Sequence, residues 1–147
     1  MKKREILNLT LSAMFISIGL VLPFLFGHIK VIGKALLPMH IPVILCGFIC
    51  GAPYGAVIGA VLPVLRSMLF GSPVMYPSAI AMTAELAVYG LLSGLMFSLF
   101  KKKNLLFIYI SLIIALFSGR IVWGLMQMFL LGLTGSTFTL KMFIAGA

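Results

Sequence analysis

The sequence predicts an all-α membrane protein, a bundle of five full transmembrane helices followed by the start of a sixth. Of its 147 residues 63% are hydrophobic and 9% are charged, and the mean hydropathy is +1.25. Soluble domains are roughly half apolar and a quarter charged. The apolar residues also form consecutive stretches near the roughly 20 residues that a membrane-spanning helix needs.

The helices follow from the apolar stretches between charged or turn-forming residues. We expect one domain, 1–147, because no linker divides the chain. The last apolar segment begins at Phe138, but the chain ends at Ala147, so the sixth helix is expected to be truncated. The predicted spans are 7–27, 38–52, 54–70, 78–100 and 105–131, with the start of the sixth at 138–147.

The basic residues predict a cytoplasmic N-terminus. Short cytoplasmic loops are enriched in Lys and Arg, and basic runs stand at 2–4 and 101–103, an even number of crossings apart. Lys30 and Lys34 in the first loop oppose this orientation but are outnumbered. The first apolar run is longer than that of a usual signal peptide and lacks an evident cleavage site, so we expect it to be retained.

Several classes of function are disfavoured by composition. Glu5 and Glu85 are the only acidic residues, which excludes sites built from several carboxylates. Cys46 and Cys50 are one helical turn apart; they could bind a soft metal, but two small buried thiols are the simpler interpretation. Motifs for phosphate binding, serine hydrolysis or zinc proteolysis do not occur. We therefore expect neither an enzyme nor a cofactor, and no nucleic-acid partner.

Three ionisable residues fall inside predicted spans: Arg66, Glu85 and Arg120. Such residues are costly in the bilayer and usually indicate a functional site. Counting turns from the span ends places all three in the extracellular half. A structural alternative stays open, in which Arg66 pairs with Glu85 or extends to the outer headgroups.

Helical spacing groups further polar and aromatic residues at this level. Arg120, Trp123 and Gln127 share one face of the fifth span, and Tyr89 follows Glu85 by one turn. His40 opens the second span, and Tyr76 stands in the loop above. Trp123 could equally belong to an interfacial aromatic belt. The ionisable groups carry a net charge of +1, so the predicted pocket suits a ligand with a carboxylate or another anionic group.

Small residues predict where helices pack closely. Glycines recur at positions 47, 51, 55 and 59, which favours close packing at the ends of the second and third spans. Ala13 and Ser17 form a similar pair on the first span. They are predicted either to pack within the chain or to dock a second protein.

The chain resembles the substrate-binding S components of energy-coupling factor (ECF) vitamin transporters. The resemblance covers nearly the whole sequence and is carried by the segments LPMHIPV (37–43), CGFICGAPYG (46–55), LPVLRS (62–67), AELAVYGLLSG (84–94), SGRIVWG (118–124) and MFIAGA (142–147).

The resemblance implies a six-helix bundle that binds a vitamin or its precursor from outside. It also implies docking to a transmembrane coupling subunit driven by two ATPases, in the bacterial plasma membrane. Ala13 matches the first position of the family's docking pattern, whereas Ser17 replaces an Ala at the second. A carboxylate vitamin such as pantothenate is the ligand we expect.

Two alternatives to a vitamin-capture subunit stay open. The first is a small transporter coupled to protons through Glu85, which would need no ATPase partner. The second, a membrane-embedded hydrolase, ranks last because Ser93 and His40 are predicted at opposite depths.

Overall fold

The computed structural model describes residues 3–26, 39–71, 74–99 and 105–133, and these form five α-helices with a short kinked segment before the fourth. The predicted first loop, the basic run at 101–103 and the start of the sixth helix lie outside the described residues. The helices are α1 (Lys3–Phe26), α2 (His40–Cys50), α3 (Ala52–Phe70), α4 (Ile80–Leu99) and α5 (Leu105–Leu133). The kinked segment is Met75–Ala79, in which Tyr76 has extended backbone angles of φ −120° and ψ +133°.

Within the described residues, four segments are long and apolar enough to cross a membrane: Lys3–Pro23, Ala52–Phe70, Met75–Leu99 and Leu106–Leu133. The second helix is shorter than the full crossing that the sequence predicted. It has 11 residues, which corresponds to about 16 Å. The apolar stretch around it includes Met39 as the N-cap and Gly51 as the C-cap, so part of it lies outside the helix.

The junction between α2 and α3 consists of a single glycine. Gly51 has φ +99°, a conformation that favours glycine, and its N–H donates to the carbonyl of Gly47 at 3.1 Å. Pro53 stands in the first turn of α3, where a missing N–H costs nothing. The two helices therefore meet at a sharp corner.

The helices alternate in direction. Asn8 and Ser12 of α1 contact Cys50 and Cys46 of α2, respectively, so α1 and α2 are antiparallel. Helix α4 packs against α2, α3 and α5, and α1 packs against α2 and α3. The core of the bundle lies among α2, α3 and α4, where its fully buried side chains include Val43, Cys46, Leu62 and Leu86.

Glycines let α2, α3 and α4 touch through their backbones. A Cβ added at Gly55 would lie 2.6 Å from the carbonyl oxygen of Gly90 and 2.7 Å from the Cα of Gly47. One added at Gly94 would meet the backbone of Ala52. We call Gly47, Gly55, Gly90 and Gly94 the glycine layer. It confirms the predicted close packing within the chain, and its α4 members, which the sequence analysis had not assigned, are the partners of the glycines on α2 and α3.

Large apolar side chains cover the outside of the bundle. Leu9 and Met14 on α1 and Phe117, Leu125 and Phe129 on α5 are all more than half exposed. In a soluble domain such a surface would be unusual, whereas it suits helices that face lipid. The surface and the helix lengths together describe a multi-pass membrane protein.

Candidate functional site

Glu85 is the centre of a polar cluster between α2, α4 and α5. Glu85 is only 1% exposed. Its Oε1 accepts hydrogen bonds from the hydroxyl of Tyr89 at 2.6 Å and from Nη1 of Arg120 at 3.1 Å. Tyr89 reaches it from one turn further along the same helix, as the spacing predicts. A buried carboxylate needs such charged and hydrogen-bonding partners to offset its loss of hydration.

Arg120 reaches Glu85 because α5 approaches α4 closely at Gly119. A Cβ at Gly119 would overlap the ring of Tyr89, so only a residue without a side chain fits at this contact. The next residue, Arg120, then lies beside Glu85 on the antiparallel helix. The sequence signal for this contact is Gly119 directly before Arg120, and the contact was not predicted.

Trp123 lies beneath the guanidinium of Arg120. The Arg120 Cζ is 4.9 Å from the centre of the indole, within the range of a cation–π contact. Trp123 is 9% exposed and packs with Ala81 and Leu130. Its interior position favours a place in the cluster over the alternative of an interfacial belt residue.

His40 closes the side of the cluster formed by α2. It is the first residue of the helix, and its ring centre is 5.2 Å from that of Tyr89. Its Nε2 lies 4.0 Å from Oε1 of Glu85. We call His40, Glu85, Tyr89, Arg120 and Trp123 the polar layer.

Gln127 and Arg66 stand apart from the polar layer. Gln127 follows Trp123 by one turn on α5, and its Oε1 is buried without a hydrogen-bond partner in the part of the chain that the structure describes. Helix α3 packs antiparallel to α4 with Gly59 against Leu86, which places Arg66 about 9 Å from Glu85 along the axis. The ion pair that the structure gives Glu85 on α5 is with Arg120, whose Nη1 lies 3.1 Å from Oε1.

Tyr76 connects the segment before α4 to α5. Its hydroxyl donates a hydrogen bond to the backbone carbonyl of Leu130 at 2.6 Å. Tyr76 was predicted in the loop above the site, and its partner Leu130 was not predicted. Because Leu130 also packs with Trp123, this bond lies beside the polar layer.

Ala13 and Ser17 lie on the exposed side of α1. Both are exposed, and the Ser17 hydroxyl donates to the carbonyl of Ala13 at 3.0 Å, which satisfies it within the helix. The pair thus leaves a small, smooth surface facing outward. Cys46 and Cys50 are free, buried thiols, and Cys46 Sγ lies 3.9 Å from the Ser12 hydroxyl.

The fold and the site together define a helical membrane protein with a charged, aromatic cluster buried between its helices. Residues 7–146 match the family model described as "ECF transporter, substrate-specific component". The chain belongs to this family, which confirms the resemblance seen in the sequence. It is thus a substrate-specific transporter component rather than a member of an enzyme family. No curated protein and no solved structure gives a significant match.

Proposed function

We propose that this protein captures a vitamin or vitamin precursor with an anionic group at the polar layer. In this proposal it takes the compound from outside a bacterial plasma membrane, with its N-terminus in the cytoplasm. It then delivers the compound by docking to a transmembrane coupling subunit powered by two ATP-binding subunits.

The observation that carries the proposal is the partial exposure of the Arg120 side chain. Its side chain is 21% exposed while that of its pairing partner Glu85 is 1% exposed, so Arg120 is the more accessible of the two charged residues of the polar layer. A guanidinium matches a carboxylate in geometry and charge. The indole of Trp123 under it provides an aromatic surface of the kind that lines small-molecule sites.

The remaining candidates are assigned to the same site. Gln127 supplies a buried amide oxygen one turn from Trp123, which suits a ligand N–H or O–H. His40 and Tyr89 pack against each other on the Glu85 side of the site. Arg66, about two turns away along α3, adds positive charge that attracts an anionic ligand.

Binding is tested by purifying the protein and identifying the small molecules that it releases by mass spectrometry. We expect a vitamin or precursor with a carboxylate, and pantothenate is our specific candidate. Arg120→Ala should reduce the retained amount at least about tenfold, the value of one charged hydrogen bond. Arg4→Ala, which removes the same charge from an exposed position on α1, is the matched control and should have no effect.

Docking is tested at Ala13, whose small side chain faces outward on α1. Ala13→Trp should abolish co-purification with the coupling subunit and leave the retained small molecule unchanged. Ile113→Trp, at a position 59% exposed on α5, is the control for a bulky residue on the lipid-facing surface. Equal loss of co-purification in both variants would remove the docking assignment.

The alternative is a proton-coupled transporter, and the buried acid Glu85 is the observation that favours it. The two functions differ in their energy source. We expect uptake into cells to require the co-expressed ATPase subunits and to survive collapse of the proton gradient. Uptake that persists without the ATPase subunits and stops when the gradient collapses would support the alternative.

A further inference from the structure

The two charged residues of the polar layer, Glu85 and Arg120, differ in how far their side chains are exposed. Glu85 is enclosed, and its Oε1 is shared by Tyr89 and Arg120. Arg120 keeps 21% of its side chain exposed. An enclosed carboxylate that already accepts two hydrogen bonds is placed to hold other side chains rather than to receive a ligand.

Two contacts fix the orientation of the Arg120 guanidinium. At one edge of the guanidinium, Nη1 donates a hydrogen bond to Oε1 of Glu85 at 3.1 Å. Against its face lies the indole of Trp123, whose ring centre is 4.9 Å from Cζ of Arg120. Either contact alone would leave the guanidinium free to rotate about that contact. Together they define both the plane of the guanidinium and the direction of its edges.

Glu85 is itself held in place by Tyr89. The hydroxyl bond of 2.6 Å fixes Oε1, and the ring of Tyr89 fills the space left by Gly119. Tyr89 is 3% exposed, so its ring has little freedom to move. The chain of contacts therefore runs from the closely packed Gly119 through Tyr89 and Glu85 to Arg120.

We infer that Glu85 and Tyr89 are positioning residues, which orient Arg120 so that Arg120 contacts the anionic group of the substrate. This inference rests on the proposed function. It distinguishes Arg120, which touches the substrate, from Glu85 and Tyr89, which act through Arg120. Preorganisation of a long, flexible side chain raises affinity because its conformational entropy is lost on folding instead of on binding.

The orientation of Arg120 is measured without any ligand by NMR of protein labelled with ¹⁵N-arginine. The chain has three arginines, and Arg120→Lys identifies the signals of Arg120 by their loss. We expect separate Nη1 and Nη2 signals in the unaltered protein. In Glu85→Gln the guanidinium should rotate at least about tenfold faster and the two signals should merge, because a charge-assisted hydrogen bond is lost. Signals that stay separate in Glu85→Gln would overturn the inference.

The second measurement is the amount of small molecule that co-purifies with each variant. Tyr89→Phe keeps every charge, so a role in positioning predicts several-fold less retained compound. Tyr109→Phe, at a position 63% exposed, is the matched control and should have no effect. Unchanged retention in Tyr89→Phe would contradict the inference.

Glu85→Gln separates positioning from simple neutralisation of charge. If Glu85 only neutralised Arg120, its removal would strengthen the binding of an anion, and retention would rise. Positioning predicts that retention falls, and a rise would overturn it. If the unaltered protein retains no compound at all, the proposed function fails, while the NMR signals still decide whether Glu85 holds Arg120.

Discussion

The glycine layer and the polar layer are built from the same helices in opposite ways. In the glycine layer, α2, α3 and α4 meet backbone to backbone, and no side chain separates Gly55 from Gly90. In the polar layer, long side chains fill the space, and a network centred on Glu85 joins α2, α4 and α5. On α4 the two layers adjoin at Tyr89 and Gly90, and Glu85 lies about 8 Å from Gly90 along the helix axis.

This difference suits the two layers to different roles, structural support in the glycine layer and the proposed substrate recognition in the polar layer. Backbones in direct contact leave no side-chain rotamers and no volume for a ligand, so the glycine layer fixes the spacing of the helices. The polar layer needs that spacing because a hydrogen bond between side chains on different helices fails when they shift by about 1 Å. The comparison predicts different responses to substitution in the two layers.

The largest effect is expected from a bulky residue in the glycine layer. Gly90→Val would place side-chain atoms on the backbone of Gly55, and backbone cannot move aside as a flexible side chain can. We expect a loss of about 3 kcal/mol or more in the free energy of unfolding. Thermal unfolding in detergent measures the change.

The control for Gly90→Val is Gly132→Val. A Cβ at Gly132 meets nothing within 4 Å among the described residues, so this variant should unfold near the temperature of the unaltered protein. Equal stability of the two variants would mean that the glycine layer does not hold the helices together.

The next effect concerns the charge pair in the polar layer. Glu85→Ala leaves Arg120 without its partner, and Arg120→Ala leaves Glu85 buried alone; we expect each to cost about 3 kcal/mol. The double variant should cost clearly less than the two single variants together, because it leaves no isolated charge. Unfolding measurements on all four proteins give the coupling, and additive costs would show that the pair is not formed.

The smallest effect is expected beside the polar layer, at Tyr76. Tyr76→Phe removes the hydrogen bond to the carbonyl of Leu130, and Tyr76 is 41% exposed, so water can replace the bond. We expect a loss of about 1 kcal/mol or less in the free energy of unfolding. A loss as large as that of Glu85→Ala would place Tyr76 among the residues that hold the bundle together.

The sequence predicted most of the polar layer because ionisable groups are rare in spanning helices and must find partners there. Depth counted from the span ends grouped Glu85, Arg120 and His40 correctly, and helical spacing added Tyr89 and Trp123. Depth alone does not decide whether Arg66 or Arg120 pairs with Glu85. That choice depends on which helices are neighbours, and a residue's depth does not fix its neighbours.

Other features needed the packing of the helices. The spacing of Gly47 and Gly55 predicted close packing of their helices. The glycines that they pack against, Gly90 and Gly94, follow only from the position of α4 beside α2 and α3. Helix α2 is shorter than predicted because apolar composition alone does not mark the residues that cap a helix. The predicted orientation stays a prediction, since the basic run at 101–103 and the first loop lie outside the described residues.

The most direct test compares the small molecule retained by a variant in the polar layer with that retained by a variant beside the glycine layer. Arg120→Lys keeps the charge but changes the geometry of the proposed ligand contact, and Ser93→Ala removes a buried hydroxyl beside Gly47 and Gly90. Quantitative mass spectrometry should find at least about tenfold less compound in Arg120→Lys and an unchanged amount in Ser93→Ala. Equal retention by both variants, or a greater loss in Ser93→Ala, would contradict the assignment of substrate binding to the polar layer.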